Sequence, residues 1–165
     1  MKSLNKTMKS TTIVALFASA LWVAPASATS SSGFSRVGLA NGQFGTLNVN
    51  TESDKTGKWG MLLRTKDDSD VGTDELTVLP GGYSGWHAHP AAVFVTVTEG
   101  SIVWYDGSNP LCTPHTYTAP ASFIENAYGI HNVRNTGTVT AKFVAIRINP
   151  TGVPFRLDRT TPNNC

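Results

Sequence analysis

Charge is scarce in this chain. Only 15% of its 165 residues are Asp, Glu, Lys or Arg, against about 25% in an ordinary soluble domain, and past residue 28 no two basic residues adjoin. Phosphate backbones are held by clustered Lys and Arg, so a nucleic-acid partner is not expected. Cysteine is limited to Cys112 and Cys165, neither of them in a C-x-x-C pair, which leaves a thiolate metal site without support. The glycine-rich stretch at 81–85 lacks both the Lys of a phosphate-binding loop and a following helix, and a turn is its expected role. No apolar run approaches the roughly 20 residues of a membrane span; Ile13 to Val23 is only 11 long. Past residue 28 there is no helical amphipathic period of useful length and no internal repeat.

Much of the basic charge sits at the start. Lys2, Lys6 and Lys9 precede the apolar run, and Pro25 leads into Ala26-Ser27-Ala28, the pattern of an export leader cleaved after about Ala28. Without those three lysines, ten basic residues face eleven acidic ones and the formal charge changes from +2 to −1. The expected location is secreted or periplasmic, with no permanent membrane anchor. Two cysteines suit an oxidising compartment and are expected to pair.

The rest is rich in Gly, Thr, Val and Pro. Strand-like segments of four to seven residues recur between turn signals: Trp59 to Arg64, Glu75 to Leu79, Ala92 to Thr98, Ile102 to Tyr105, His115 to Thr118, Ser122 to Glu125, Ile130 to Arg134 and Lys142 to Ile148. This predicts an all-β sandwich or barrel with hairpin connections. The expected organisation is a signal peptide over 1–28, a flexible stub and peripheral strands over 29–57, a barrel over 58–157 and a tail over 158–165 tied by the disulfide. Within 29–57, Thr29 to Gly33 is expected to be disordered, and Val37, Leu39, Phe44 and Leu47 to mark the peripheral strands.

Three of the four histidines form a pattern. His87 and His89 stand two apart in an extended segment, so the period of two aims both rings at one face. His131 follows in a later strand that can return beside the first in a closed barrel. Such a set fits a grip on a divalent metal, and equally fits hydrogen-bonded core residues.

The spacing resembles that of the cupin superfamily. Gly81, five residues, His87-Ala88-His89, three residues, Val93, six residues and Gly100 follow the first cupin motif, G-x5-H-x-H-x3,4-E-x6-G, except that Val93 stands in the place of Glu. The second motif, G-x5-P-x-G-x2-H-x3-N, is matched at His131 and Asn135, while Pro120, Asn126 and Tyr128 replace its other positions. The resemblance implies a small single-domain, jelly-roll-like β-barrel over about 58–157. It also implies a mononuclear divalent metal (Fe, Mn, Zn, Ni or Cu) on His87, His89 and His131, and a homodimer formed through edge strands. A small-molecule substrate undergoing oxygenation, lysis or isomerisation would suit such a site; a barrel that binds a small ligand or metal without turnover is the alternative.

Loss of the motif Glu would leave the metal charge largely uncompensated, which favours anionic or bidentate oxygen ligands. Glu125 occupies the place just before the Pro of the second motif. Facing inward there, it would have a raised pKa suited to a catalytic general base, or would act as a fourth ligand; facing outward it would be an ordinary strand-end residue. Val93, Val95, Val97, Phe123 and Val133 are expected inside, and Tyr83, Trp86 and Tyr128 at the mouth or covering a barrel end. Glu99 is expected in a turn and His115 on the surface.

Overall fold

A computed structural model describes residues 28–52 and 57–165. Apart from Ala28, the expected leader lies outside them. The described residues contain no helix. Their strands are β1 (Ser32–Phe44), β2 (Asn48–Glu52), β3 (Gly60–Arg64), β4 (Ser69–Tyr83), β5 (His87–Ala88), β6 (Val93–Glu99), β7 (Ser101–Asp106), β8 (Pro114–Thr118), β9 (Ser122–Glu125), β10 (His131–Arg134), β11 (Ala141–Pro150) and β12 (Leu157–Asp158).

Ten of them form one antiparallel sheet that folds over on itself as a nearly closed barrel. One arm runs β9-β6-β11-β4-β1 and the other β8-β7-β10-β5-β12, joined where Tyr83 of β4 pairs with Arg134 of β10. Period-two burial fills the space between the arms. Leu76 and Val78 of β4, Val93, Val95 and Val97 of β6, and Phe143 of β11 point inward to meet Ile102 and Val133 of the other arm. Side chains on facing sheets interdigitate in this way to make one core.

Hairpins are fewer than the turn signals suggest. Among the described residues, only β2–β3 and β7–β8 are sequence neighbours that pair with each other. The Glu99-Gly100 turn instead carries the chain from one arm to the other, with Gly100 at φ +66° and the backbone of Thr140 and Ala141 against it. A side chain there would be strained in conformation and crowded by backbone. Turn residues mark where a chain reverses, but a closed barrel sends many of its turns across arms.

The N-terminal segment also departs from expectation. Ser32 onward is paired strand, and Thr29 bonds to Arg159 and Trp86, so Thr29 to Gly33 is ordered. β1 lies along β4 almost throughout and belongs to the barrel sheet, while the β2–β3 hairpin forms a separate two-stranded sheet. A boundary at residue 58 therefore does not divide barrel from periphery. Hydropathy is a poor guide to the inner face of β1. Val37 and Leu39 are more than half exposed, whereas Phe34 packs on the core and Arg36 reaches inward to the buried Asp74.

Cys112 and Cys165 form a disulfide. It fastens the end of a C-terminal strap that crosses the barrel: β12 pairs with β5, Arg159 N–H donates to the Trp86 carbonyl, and the Asn164 amide donates to the carbonyls of Gly107 and Asn109.

Candidate metal centre

The ladder brings the histidines together. His131 on β10 is directly opposite His87 on β5, and opposed residues in an antiparallel pair project to the same face. His89 lies just beyond β5, before Pro90, and its ring joins the same group. Ring centroids are 4.3 Å apart for His87 and His131, 4.9 Å for His87 and His89, and 5.1 Å for His89 and His131. One ligand nitrogen from each lies within 4.8 Å of the others. Two nitrogens held at roughly 2.1 Å by one tetrahedral ion stand about 3.4 Å apart, so sharing an ion would draw the donors together by no more than about 1.4 Å.

Each ring is oriented from behind. Nδ1 of His87 is 2.9 Å from the Gly85 carbonyl, that of His89 2.8 Å from the Phe155 carbonyl, and that of His131 2.9 Å from the Gly129 carbonyl. A carbonyl can only accept, so each Nδ1 carries its proton and, in the neutral ring, each Nε2 presents a lone pair. These backbone bonds supply the outer support that metal-binding histidines need to hold one tautomer.

Glu125 faces inward and is 4% exposed. It sits on β9 directly opposite Val93, the residue in the motif's Glu position. Its oxygens are 3.2 Å from Nε2 of His89 and 3.2 Å from Nε2 of His131. The carboxylate absent from β6 is thus present one strand over on the same face. This corrects the expectation of an uncompensated centre, because an ionised Glu125 would offset half of a divalent charge.

The pKa expected for Glu125 also changes direction. Burial is the largest influence and would raise it, but the charge of His131 and the hydrogen bond and charge of His89 together bring it below the usual carboxylate value. His87 is pushed well below the ordinary histidine value by burial, then by the charges of His131, Arg156 and His89. Burial likewise lowers His131, with Glu125 acting against it. Beside the Glu125 carboxylate, the lone pair of the buried His131 Nε2 has no hydrogen-bond partner. A cation or a proton is what such lone pairs lack, so the residues present fit a divalent metal.

Glu99 and His115 stand apart from this centre. Glu99 is exposed and pairs with Lys142 at 2.9 Å, and His115 is exposed, its ring 5.9 Å from Trp104. Val93, Val95, Val97 and Val133 are buried and Phe123 half-buried. Trp86 is buried, Tyr83 half-buried and Tyr128 exposed, and none of the three lines the cavity beside the histidines.

A cavity of about 250 Å³ adjoins His87, His89 and Glu125. Four of the residues that shape it carry no signal in the sequence. Phe34 and Arg36 come from β1, while Phe155 and Arg156 come from the strap. Phe155 stacks on His89 with centroids 4.7 Å apart, and the guanidiniums of Arg36 and Arg147 lie 5.0 and 5.1 Å from its ring centre. Asp74, fully buried, accepts from both arginines, at 2.6 Å from Arg36 and 3.0 Å from Arg147. Gly72 makes room for this cluster, since a Cβ there would collide with the Arg147 guanidinium.

Residues 74–147 match the model of the cupin domain. No curated protein matches the chain. Among solved structures, Peruvianin-I from Thevetia peruviana latex, described as a cysteine peptidase, is 24% identical over 55% of this chain and 56% of its own, with a TM-score of 0.47. The polyketide cyclase RemF from Streptomyces resistomycificus is 14% identical over 51% of this chain and 62% of its own, TM-score 0.43. A cupin domain from Bordetella pertussis Tohama I is 22% identical over 64% of this chain and 94% of its own, TM-score 0.42. The chain therefore spans less than two thirds of Peruvianin-I and of the cyclase. Fold, motif spacing and the matched domain agree: residues 74–147 form a cupin domain.

Proposed function

We propose that the protein is an exported, metal-dependent cupin that holds one divalent ion on His87, His89 and His131 and acts on a small oxygenated molecule by oxygenation, lysis or isomerisation. The observation that carries this reading is the convergence of three imidazoles, each with its Nδ1 proton committed to a backbone carbonyl and two of them against a buried carboxylate. A bound ion would polarise a chelating oxygen or lower the pKa of a water. The imidazoles admit Fe, Mn, Zn, Ni or Cu, and supply in the compartment decides among them. Export is supported by the basic and apolar start of the chain with its Ala-x-Ala end, and by the Cys112–Cys165 disulfide.

Glu125 acts here as the carboxylate that closes the ligand set. Its lowered pKa keeps it ionised near neutral pH, and its place opposite Val93 puts it at the height of the missing motif residue. Val93, Val133 and Phe143 give the cavity beside the histidines apolar walls.

Elemental analysis of protein purified without chelator tests the reading. About one equivalent of metal is expected, lost in His87→Ala and in His131→Ala, with affinity weakened roughly tenfold in Glu125→Gln. Metal that is absent, or unchanged in both histidine variants, would sink it.

A further inference from the structure

We propose that the ligand of the cavity is a small carboxylate, received through its anionic group by Arg156 and Arg36 at the mouth, with its apolar body against Phe34, Phe143 and Phe155. The inference deepens the proposed function and rests on it for the position of the ligand beside the histidines.

The cavity is polarised along its length. Its inner end holds the buried histidines and Glu125, and its outer end holds Arg36 and Arg156, whose side chains are 40% and 28% exposed. Glu125 already fills the carboxylate place beside His89 and His131, and open guanidinium donors lie only at the outer end, so the ligand's carboxylate belongs there. A chelating or proton-donating group suits the inner end.

The two arginines are partly committed. Arg156 donates through Nε to Asp158 at 2.6 Å and through Nη2 to the Ser84 carbonyl at 2.8 Å, which leaves Nη1 without a partner among the described residues. Arg36 gives Nη2 to Asp74 and makes no other hydrogen bond among them. Because Asp74 is shared with Arg147, that trio carries one net positive charge at the cavity wall. Guanidinium groups with open donors above an apolar cleft are built to receive a carboxylate. The cavity is also smaller than the roughly 300–1,000 Å³ of drug-sized sites, which limits the body to a short chain or a single ring.

Calorimetry on the full chain, loaded with zinc, compares butyrate and benzoate with butyramide and benzamide. At least one carboxylate is expected to bind ten times more tightly than its amide, and to weaken as salt rises. Arg156→Gln should remove roughly tenfold to a hundredfold of carboxylate affinity and leave the amides unchanged; Arg156→Lys should lose less. Equal binding of acids and amides, no carboxylate binding, or full affinity in a folded Arg156→Gln would overturn the inference. Should both variants unfold, the acid-to-amide ratio and salt dependence of the wild type decide. Metal analysis of the same samples separates the two claims. Stoichiometric metal without acid preference rejects the carboxylate alone, whereas acid preference in protein that holds no metal rejects the metal centre alone.

Discussion

The barrel and the C-terminal strap hold the same site by different means. His87, His131 and Glu125 are placed by strand register, each on a ladder directly opposite a partner and deep in the core. The strap pairs through only two residues of β12, is half-buried to exposed, and is otherwise held by single hydrogen bonds and the disulfide. It nonetheless supplies the carbonyl that orients His89 and the guanidinium beside the cavity. Ladder positions are fixed by many cooperative bonds, while a strap can open locally at much lower cost. The difference separates metal geometry, set by the barrel ladders and the strap's backbone, from ligand choice, set largely by side chains at the mouth.

The largest expected effect comes from cutting the strap's anchor. The disulfide spans 53 residues, and loop-closure entropy gives it a contribution of about 4 kcal/mol, with about 2–4 kcal/mol typical of measured bridges. Cys112→Ser with Cys165→Ser should lower stability to urea by that amount. Hydrogen exchange should accelerate most at Leu157 and Arg159 and least in β4 and β6. Uniform acceleration across both regions would show that the strap is no less cooperative than the barrel.

Much of this contrast follows from what hydropathy can encode. Period-two alternation marks buried strands, so β4, β6, β10 and β11 and their inward valines were legible. So was the histidine triad, through its spacing. Glu125 was legible as a candidate through its place in the second motif, but which way it faces depends on the register of β6 against β9, which no local pattern states. Arg36 was hidden by a strand whose apolar residues face outward while a charged one faces a buried Asp. Phe155 and Arg156 lie in an irregular segment, where tertiary attachments replace any period. Strand positions were therefore easier to read than strand partners.

A second effect separates the regions by acid. His87 and His131 have pKa values lowered by burial, and Glu125 has one lowered by His131 and His89 against burial. In each case the unfolded chain binds protons more readily than the folded one, so stability falls as pH drops through and below the ordinary histidine range near 6.5. Each such proton contributes at most about 1.4 kcal/mol per pH unit. Chelator-treated protein should thus have a lower urea midpoint at pH 5.5 than at pH 7.5, with protection lost in β5 and β10 before β1. A midpoint that does not change over this interval would mean that the histidines are not buried as neutral rings.

The smallest effect isolates one ring. Phe155 presents two features to the site: its carbonyl accepts from His89, and its ring stacks on His89 below the Arg36 and Arg147 guanidiniums. Leucine keeps the carbonyl and most of the apolar volume but removes the aromatic face. Two partly exposed cation–π contacts contribute about 0.5–1 kcal/mol each, so Phe155→Leu should cost roughly 1–2 kcal/mol, and less if the guanidiniums turn to water. Metal content should be unchanged, since the backbone bond that sets the His89 tautomer survives. Affinity for the small carboxylates should fall a few-fold, because the ring forms part of their apolar wall. Loss of metal as complete as in a His89→Ala variant would place the strap's side chain among the determinants of metal geometry, and the division of labour between barrel and strap would fail at the residue where the two regions touch most closely.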